Sequence, residues 1–180
     1  FRYNGWGPLS AQFGKCMCYS IYHVLHSHAS LCGVNGVGCD AYALGEKHAA
    51  FAMEQMRRYG IPASVILAQG ILESSNGQSQ LARKENNHFG IKATNAWLAD
   101  GGKYGLYTDD KPNEKFCSYD NVGESYEHHS RFLKENKRYS ECFKLSPDDY
   151  KGWTKGLEKA GYATGGSYAS NLQKIIEVNG

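Results

Sequence analysis

The residue with the clearest potential for chemistry is Glu73, which follows Leu72 at the end of a strongly apolar segment. The apolar residues between Val65 and Leu72 occur all round a helical wheel, which predicts a helix buried inside a domain. A carboxylate in the last turn of such a helix is partly desolvated and faces the negative end of the helix dipole. Both effects favour the protonated form, and a carboxyl group that keeps its proton near neutral pH can act as a general acid. The spacing alone equally allows a Glu73 that is solvated or paired with a Lys or Arg.

Helical periodicity dominates the chain from Ala43 onward, so the helix ending in Glu73 is one of a series. We predict helices over 45–59, 62–74, 79–84, 121–134 and 146–160, and a final helix that begins after Ser167. Gly60 suits the position just past a helix end, and Pro62 suits the first turn of the next helix.

Two later helix starts have sequence signals of their own. Asn121 followed by Glu124 is a variant of the capping box, and Ser146 followed by Pro147 and two acids predicts an N-cap with proline at the first helical position. In the final helix we expect four apolar side chains to face inward, namely those of Leu172, Ile175, Ile176 and Val178.

Residues 91–119 lose the helical period and contain several turn-forming residues. Glycines at 101, 102 and 105 and the Lys-Pro-Asn run at 111–113 separate short segments at 103–108 and 115–119, which predicts a small β-hairpin or β-lobe. The predicted fold class is therefore α+β, mainly α, with one small β insertion.

Residues 1–42 contain four of the six cysteines and a glycine-rich run at 33–38. This composition predicts a Cys-rich N-terminal extension followed by a domain over 43–180. The six cysteines allow three disulfides and an oxidising compartment, which is the reading we favour. A metal site is an alternative because histidines at 23, 26 and 28 lie among the cysteines, but the spacings differ from those of zinc knuckles. Free thiols are the third alternative. The cysteines are Cys16, Cys18, Cys32, Cys39, Cys117 and Cys142.

Composition restricts the possible partners. With 20 basic and 18 acidic residues, the net charge of +2 is too weak to indicate nucleic-acid binding. No apolar run approaches the length of a membrane span, so we expect no membrane insertion. Thirteen Tyr and three Trp offer aromatic surfaces that suit stacking on sugar rings as well as core packing.

Two stretches of sequence point to a known family. Residues 67–77 read Leu-Ala-Gln-Gly-Ile-Leu-Glu-Ser-Ser-Asn-Gly, and residues 86–92 read Asn-Asn-His-Phe-Gly-Ile-Lys. Shorter matches follow in the same order: Tyr119-Asp120 with Glu124-Ser125, Arg138-Tyr139, and Ala160-Gly161-Tyr162-Ala163-Thr164 with Tyr168-Ala169. Over about residues 45–178 the chain resembles the glucosaminidase family of cell-wall hydrolases, glycoside hydrolase family 73.

The resemblance implies a lysozyme-like domain that hydrolyses the β-1,4 bond after N-acetylglucosamine in peptidoglycan, an endo-β-N-acetylglucosaminidase. It implies glycan strands as the partner, no cofactor and no metal, and a secreted, periplasmic or cell-surface location. We expect a monomer. Residues 1–42 lie outside the resemblance.

The resemblance also assigns catalytic roles. The general acid of the family falls on Glu73. The second carboxylate falls on Asp109, with Asp110 as a substrate-binding neighbour, although many members have Glu there. A solvated turn is the alternative for this Asp pair. The distance between the two carboxyl groups distinguishes direct attack by water from a covalent intermediate, and a third route uses the acetamido oxygen of the substrate, polarised by Tyr162.

Five further residues are candidates for lining the substrate cleft. Asn87 could bind sugar or backbone, Phe89 could line the cleft or belong to the core, and Trp97 could stack on a saccharide or be buried. Tyr162 and Tyr168 match the late motif of the family. His88 is more typical of a wall residue than of a catalytic base, and packing explains His128-His129 without a metal.

Two other functions remain open. A lytic transglycosylase also uses a Glu followed by Ser and would leave 1,6-anhydromuramyl ends. That family carries a Gly-Leu-Met-Gln segment where this chain has Phe89-Gly90-Ile91-Lys92, which argues against it. A non-catalytic wall-binding module would keep the aromatic cleft but lose the acid, and the acid is present.

Overall fold

The structure of the protein, a computed structural model, describes residues 37–179. This part of the chain is mainly helical, as predicted, with one two-stranded sheet. In chain order its elements are α1 (Val37–Tyr59), α2 (Ala63–Glu73), α3 (Gln80–Glu85), α4 (Asn95–Ala99), β1 (Tyr104–Tyr107), β2 (Glu114–Cys117), α5 (Val122–Glu135), short 3-10 helices at Lys137–Tyr139 and Cys142–Lys144, α6 (Tyr150–Lys159) and α7 (Tyr168–Asn179). None of these helices combines the length and the apolar character needed to cross a bilayer.

The helix α2 is the centre of the helical core, as its sequence predicts. It packs against α1, α6 and α7, and α5 packs on α1 beside it. An all-round apolar surface has no solvent face, so the helix is stable only when neighbours cover every side. Its buried residues are Ala63, Val65, Ile66, Ala68, Gln69, Gly70 and Ile71.

Gly70 allows α5 and the loop before α4 to approach α2 closely. A Cβ at this position would lie 3.0 Å from the hydroxyl oxygen of Tyr126 and 3.6 Å from the ring of Phe89. We expect Gly70→Val to destabilise the protein by about 1–3 kcal/mol through overpacking. Urea unfolding measures the change, and an unaltered midpoint would show that the close approach is not present.

Gly166, in the loop before α7, provides the control for this substitution. It is exposed, and a Cβ built on it has nothing within 4 Å among the described residues. Because alanine restricts the unfolded chain more than glycine does, Gly166→Ala should stabilise the protein by about 0.4–1 kcal/mol. Opposite signs at the two glycines would show that the close packing at Gly70, and not glycine replacement itself, causes the loss.

The β-lobe is a hairpin beside the helical core. β1 and β2 pair antiparallel, with Tyr104 opposite Cys117 and Tyr107 opposite Glu114. An isolated bridge between Lys92 and Phe116 ties the hairpin to the loop that follows α3. The predicted β-lobe is therefore confirmed, although sequence periodicity missed the short helix α4 ahead of it.

Several predicted boundaries differ from the structure. The first helix begins at Val37 and not at residue 45 as predicted, while the division into an extension and a domain after residue 42 stays a prediction. The N-cap at Asn121 is confirmed, since its Oδ1 accepts from the backbone N–H of Glu124 at 3.1 Å. The Ser146 N-cap is wrong: α6 begins at Tyr150, and the carboxylate of Asp149 accepts from the N–H of Gly152 at 2.8 Å. The inward orientation of Val178 is also wrong, because this residue is 74% exposed.

The disulfide prediction fails for the two cysteines that the structure describes in full. Cys117 and Cys142 are buried free thiols, and burial raises the pKa of each. They fill space in the core as small apolar side chains. Cys16, Cys18 and Cys32 lie outside the described residues, as does the side chain of Cys39, so the other pairings stay untested.

Candidate active site

Glu73 is the last residue of α2, directly before an unusually tight reversal of the chain. Ser75, Asn76 and Gly77 have φ values of 51°, 57° and 74°, a left-handed conformation that only glycine adopts without cost. The buried Ser74 supports this turn. Its hydroxyl donates to the carbonyl of Gly70 at 2.5 Å and accepts from the N–H of Gly77 at 2.7 Å. The turn fixes the end of the helix and with it the position of the Glu73 carboxyl group.

The environment of Glu73 has the properties that its sequence context predicts. The side chain is half-buried, and burial raises the pKa of its carboxyl group. The hydroxyl of Tyr168 donates to Oε1 at 2.9 Å, which favours the ionised form and partly opposes this rise. None of the ion pairs in residues 37–179 involves Glu73. Glu73 is therefore a partly desolvated acid without a cationic partner.

Two tyrosines of the late sequence motif lie beside this acid. The rings of Tyr162 and Tyr168 stack with their centroids 5.4 Å apart and their planes inclined by 21°. Burial, followed by the negative charge of Glu73, raises the pKa of the Tyr162 hydroxyl, which therefore keeps its proton at neutral pH. Both hydroxyls can thus donate hydrogen bonds near the acid.

Sequence reasoning missed Gln69 at this site. Its Nε2 donates to the Tyr168 hydroxyl oxygen at 2.9 Å, and the side chain is completely buried. The available signal was spacing, because Gln69 lies four residues before Glu73 and so shares its face of α2.

Asn87 uses its whole side chain to organise the loop after α3. Its Nδ2 donates to the carbonyls of Ile91 at 3.0 Å and Cys117 at 2.9 Å. Its Oδ1 accepts from the N–H groups of Ile91 at 3.1 Å and Phe89 at 3.4 Å. Because an amide offers two donors and two lone pairs, these four bonds saturate it. Of the two roles considered for Asn87, the structure shows hydrogen bonding to the backbone.

Phe89 occupies the core and does not lie at an open surface. Its ring stacks on that of His129 with centroids 3.9 Å apart, and it meets the edge of Tyr126 at 4.9 Å. His129 in turn meets Tyr162 at 6.0 Å. Phe89 therefore packs against His129, which in turn packs against Tyr162 beside Glu73.

The Asp pair lies in the hairpin loop between β1 and β2. Asp109 and Asp110 have side chains that are 55% and 84% exposed, and both pair with Lys92, at 3.2 and 3.3 Å. Glu114, which sequence reasoning also missed, binds the same ammonium at 2.8 Å and is only 19% exposed. In the described part of the chain no hydrogen bond or ion pair joins Asp109 or Asp110 to Glu73.

These three carboxylates are the one group of metal-type ligands found among residues 37–179, with ligand atoms within 4.8 Å of one another. The Lys92 ammonium already contacts all three and supplies a positive charge at this position. Carboxylates raise the pKa of Lys92, with Glu114 as the largest contributor, so the ammonium stays charged.

Trp97 packs against α5. One face of its ring stacks on His128 at 5.0 Å, and its Nε1 donates to the carbonyl of Lys103 at 2.8 Å. These contacts hold the β-lobe against the helices. A saccharide contact for Trp97 stays a prediction.

Comparison with known proteins identifies the family of this chain. The model of the glucosaminidase family, described as mannosyl-glycoprotein endo-beta-N-acetylglucosaminidase, matches residues 49–180. The chain is 32% identical to the peptidoglycan hydrolase FlgJ of Vibrio parahaemolyticus over 133 residues, which cover 69% of this chain and 43% of that protein. It is 32% identical to the exo-glucosaminidase LytG of Bacillus subtilis over 67% of this chain and 45% of that protein. The chain therefore spans less than half the length of these two relatives.

The fold is also similar to that of solved structures. The glycoside hydrolase domain of Salmonella typhimurium FlgJ superposes with a TM-score of 0.64 and 29% identity, over 76% of this chain and 86% of that chain. The family match covers the helix that carries Glu73, the β-lobe and the tyrosine pair. The chain belongs to the glucosaminidase family of glycoside hydrolases.

Proposed function

We propose that this protein is a peptidoglycan hydrolase, an endo-β-N-acetylglucosaminidase that cleaves the β-1,4 bond after N-acetylglucosamine in bacterial glycan strands. The observation that carries the proposal is the Glu73 carboxyl group, which burial makes less acidic and which has no cationic partner among the described residues. The family membership and the names of the relatives, peptidoglycan hydrolase and exo-glucosaminidase, support this substrate class.

In the proposed reaction Glu73 is the general acid. Its proton passes to the glycosidic oxygen while the bond from that oxygen to the anomeric carbon breaks. A water molecule supplies the oxygen that becomes bonded to the anomeric carbon, and its displaced proton goes to a carboxylate. Hydrolysis thus leaves a reducing N-acetylglucosamine end on one fragment and a free hydroxyl on the other.

Asp109 is the proposed second carboxylate, with Asp110 as its substrate-binding neighbour. The exposure of Asp109 on the hairpin loop suits a group that contacts substrate. Lys92 pairs with this carboxylate through its side chain and forms a backbone bridge with Phe116 of β2, so it links the loop to the hairpin. The Tyr162 hydroxyl, which keeps its proton, suits the alternative route in which it would polarise the substrate acetamide. Tyr168 and Trp97 complete the proposed substrate contacts.

The role of Asp109 can be separated from the general charge of the hairpin. We expect Asp109→Asn to lower kcat by about 10²-fold, the lower end of general acid–base effects, while Asp110→Asn, at the proposed substrate-binding neighbour, raises KM and leaves kcat close to the parent value. Both variants remove one exposed carboxylate that contacts Lys92, so the comparison controls for the loss of a negative charge beside this ammonium. Equal losses in the two variants, measured on purified peptidoglycan, would contradict a specific role for Asp109.

The experiment that tests the function is digestion of purified peptidoglycan followed by mass spectrometry of the fragments. The proposal predicts fragments with N-acetylglucosamine at the reducing end. Terminal 1,6-anhydromuramyl groups would instead identify a lytic transglycosylase, and binding without any fragments would identify a wall-binding module. Release of internal fragments, not of single terminal sugars, would establish the endo mode.

We further propose that the protein acts outside the cytoplasm, as a secreted, periplasmic or cell-surface monomer, because its proposed substrate lies there. Within residues 37–179 no helix could span a membrane. The oligomeric state can be measured by light scattering.

A further inference from the structure

One buried polar side chain next to the acid has no role in the reaction described above. Gln69 lies one helical turn before Glu73 on α2, and Tyr168, the first residue of α7, contacts both side chains. Its hydroxyl oxygen lies 2.9 Å from Nε2 of Gln69 and 2.9 Å from Oε1 of Glu73. The three groups form a short hydrogen-bonded chain that ends on the proposed acid.

The direction of this chain follows from the number of protons available. A tyrosine hydroxyl has one proton to donate, whereas the amide nitrogen of glutamine can only donate. When Gln69 donates to the Tyr168 oxygen, the Tyr168 proton is free to point at Glu73. If the amide were reversed, its oxygen would accept the Tyr168 proton. An ionised Glu73 would then lose the hydrogen bond that Tyr168 donates to it.

We propose that Gln69 is a positioning residue that acts on Glu73 through Tyr168, by directing the Tyr168 hydroxyl toward the carboxylate. The catalytic consequence rests on the function proposed above. Hydrogen bonds in a chain polarise one another, so donation by Gln69 makes the Tyr168 hydroxyl a stronger donor. Burial favours the protonated form of Glu73, whereas the hydrogen bond from Tyr168 favours the ionised form. Because Gln69 strengthens this hydrogen bond, it helps Glu73 to release its proton to the leaving oxygen.

If Gln69 had a purely structural role, replacing it would lower the thermal midpoint of unfolding and leave the titration of Glu73 unchanged. The Oε1 of Gln69 has no hydrogen-bond partner among the described residues although it is buried, and such an oxygen destabilises the fold. Methionine has a similar length and no polar group, so Gln69→Met removes the unsatisfied oxygen together with the donor. We therefore expect Gln69→Met to leave the thermal midpoint unchanged or raised, while the titration of Glu73 moves.

Within residues 37–179, the titratable groups in and behind the cluster around Glu73 are three tyrosines and one histidine. Tyr168 faces it from α7, and Tyr162 lies beside Tyr168. His129 of α5 and Tyr139 lie behind Tyr162, at 6.0 Å each between ring centroids. Burial lowers the pKa of His129 to about 3, whereas burial raises the pKa of Glu73, so His129 is neutral over the range in which Glu73 titrates.

The test is a carboxyl ¹³C NMR titration of the whole chain labelled at glutamate, with the Glu73 signal identified by its loss in Glu73→Gln. Tyr168→Phe removes the donor and should raise the midpoint of Glu73 most. Gln69→Met should raise it by about half a pH unit, since it only weakens the same donor. In the double variant Gln69→Met should add nothing to Tyr168→Phe, because its effect passes through the missing hydroxyl. Gln69→Leu serves the same purpose if the methionine variant fails to fold.

Gln55 is the matched control, being a buried glutamine on α1 whose Oε1 also lacks a partner among residues 37–179. Gln55→Met should leave the midpoint of Glu73 unmoved. An unchanged midpoint in Gln69→Met, or a shift that adds to that of Tyr168→Phe, would overturn the proposal. This readout needs no turnover, so it can fail while the enzyme is active. Conversely, it can succeed if Glu73→Gln remains active and the catalytic assignment is wrong.

Discussion

Replacing Glu73 with glutamine is expected to abolish glycan hydrolysis, with kcat lowered by at least about 10²–10⁴-fold. Glutamine has nearly the same shape and can still accept the hydrogen bond of Tyr168, but it has no transferable proton. Because Glu73 takes part in no ion pair within the described chain, no cation is left unpaired by the change. The loss should therefore occur in catalysis and not in folding or binding.

The measurement compares the release of soluble fragments from purified peptidoglycan by the parent protein and by variants of equal stability. Glu135→Gln is the matched control, since Glu135 also ends a helix but is exposed to solvent. The control should retain full activity. If Glu73→Gln digests the glycan at the parent rate, Glu73 is not the acid.

Acidification is expected to remove much of the stability of the domain between pH 6.5 and 4. Three buried histidines carry the effect: burial lowers the pKa of His48 and His88 to about 4 and that of His129 to about 3. All three have ring nitrogens with no hydrogen-bond partner among the described residues, so the N–H group formed by protonation would have no acceptor there. His48 and His88 also lie edge to face at 4.8 Å, so two charges there would repel each other.

The direction of the effect follows from proton uptake. Below pH 6.5 the unfolded chain protonates these histidines while the folded protein does not, so the free energy of unfolding falls as pH falls. The slope approaches about 1.4 kcal/mol per pH unit for each histidine, and full development costs about 3 kcal/mol for each of His48 and His88. Glu73 acts in the opposite direction, because its raised pKa lets the folded state bind a proton first. Three histidines outweigh this one carboxyl group.

Urea unfolding at a series of pH values measures this slope. His129→Phe keeps a ring against Phe89 and should reduce the slope by about one proton, whatever its effect on the stability at neutral pH. His128→Phe is the comparison and should reduce the slope by less, because burial also lowers the pKa of His128 but this ring is only half-buried and its Nδ1 has the Tyr119 hydroxyl as a partner at 2.8 Å. Stability that is independent of pH from 6.5 to 4 would contradict neutral burial of these rings.

Local signals in the sequence predicted the parts of the fold that depend on local interactions. The apolar run before Glu73 predicted the buried helix, and the Asn121–Glu124 spacing predicted the start of α5, because periodicity and capping act within a few residues. The start of α6 was misplaced because Ser146 and Asp149 are both good caps, and residues 146–149 form a turn in which the N–H of Asp149 donates to the carbonyl of Ser146 at 3.0 Å. Helix α4 is too short to show a period.

Contacts within one segment of the candidate site were predictable, whereas contacts between distant segments were not. The position of Glu73 at the end of a buried helix follows from the sequence of that helix, but the bond from Gln69 to Tyr168 joins residues 99 positions apart. The contacts of Lys92 with the hairpin carboxylates likewise depend on the pairing of the β-lobe. Asn87 and Phe89 are in the predicted loop, yet their side chains organise the core that supports the site.

The central claim is that this chain breaks a glycosidic bond at N-acetylglucosamine by adding water, with Glu73 as the acid. Digestion of purified peptidoglycan in H₂¹⁸O, followed by mass spectrometry, tests it most directly. We expect one ¹⁸O atom in each new reducing N-acetylglucosamine end, and no such ends with Glu73→Gln. Fragments that end in anhydromuramyl groups without ¹⁸O, or labelled ends that form equally well in Glu73→Gln, would contradict it.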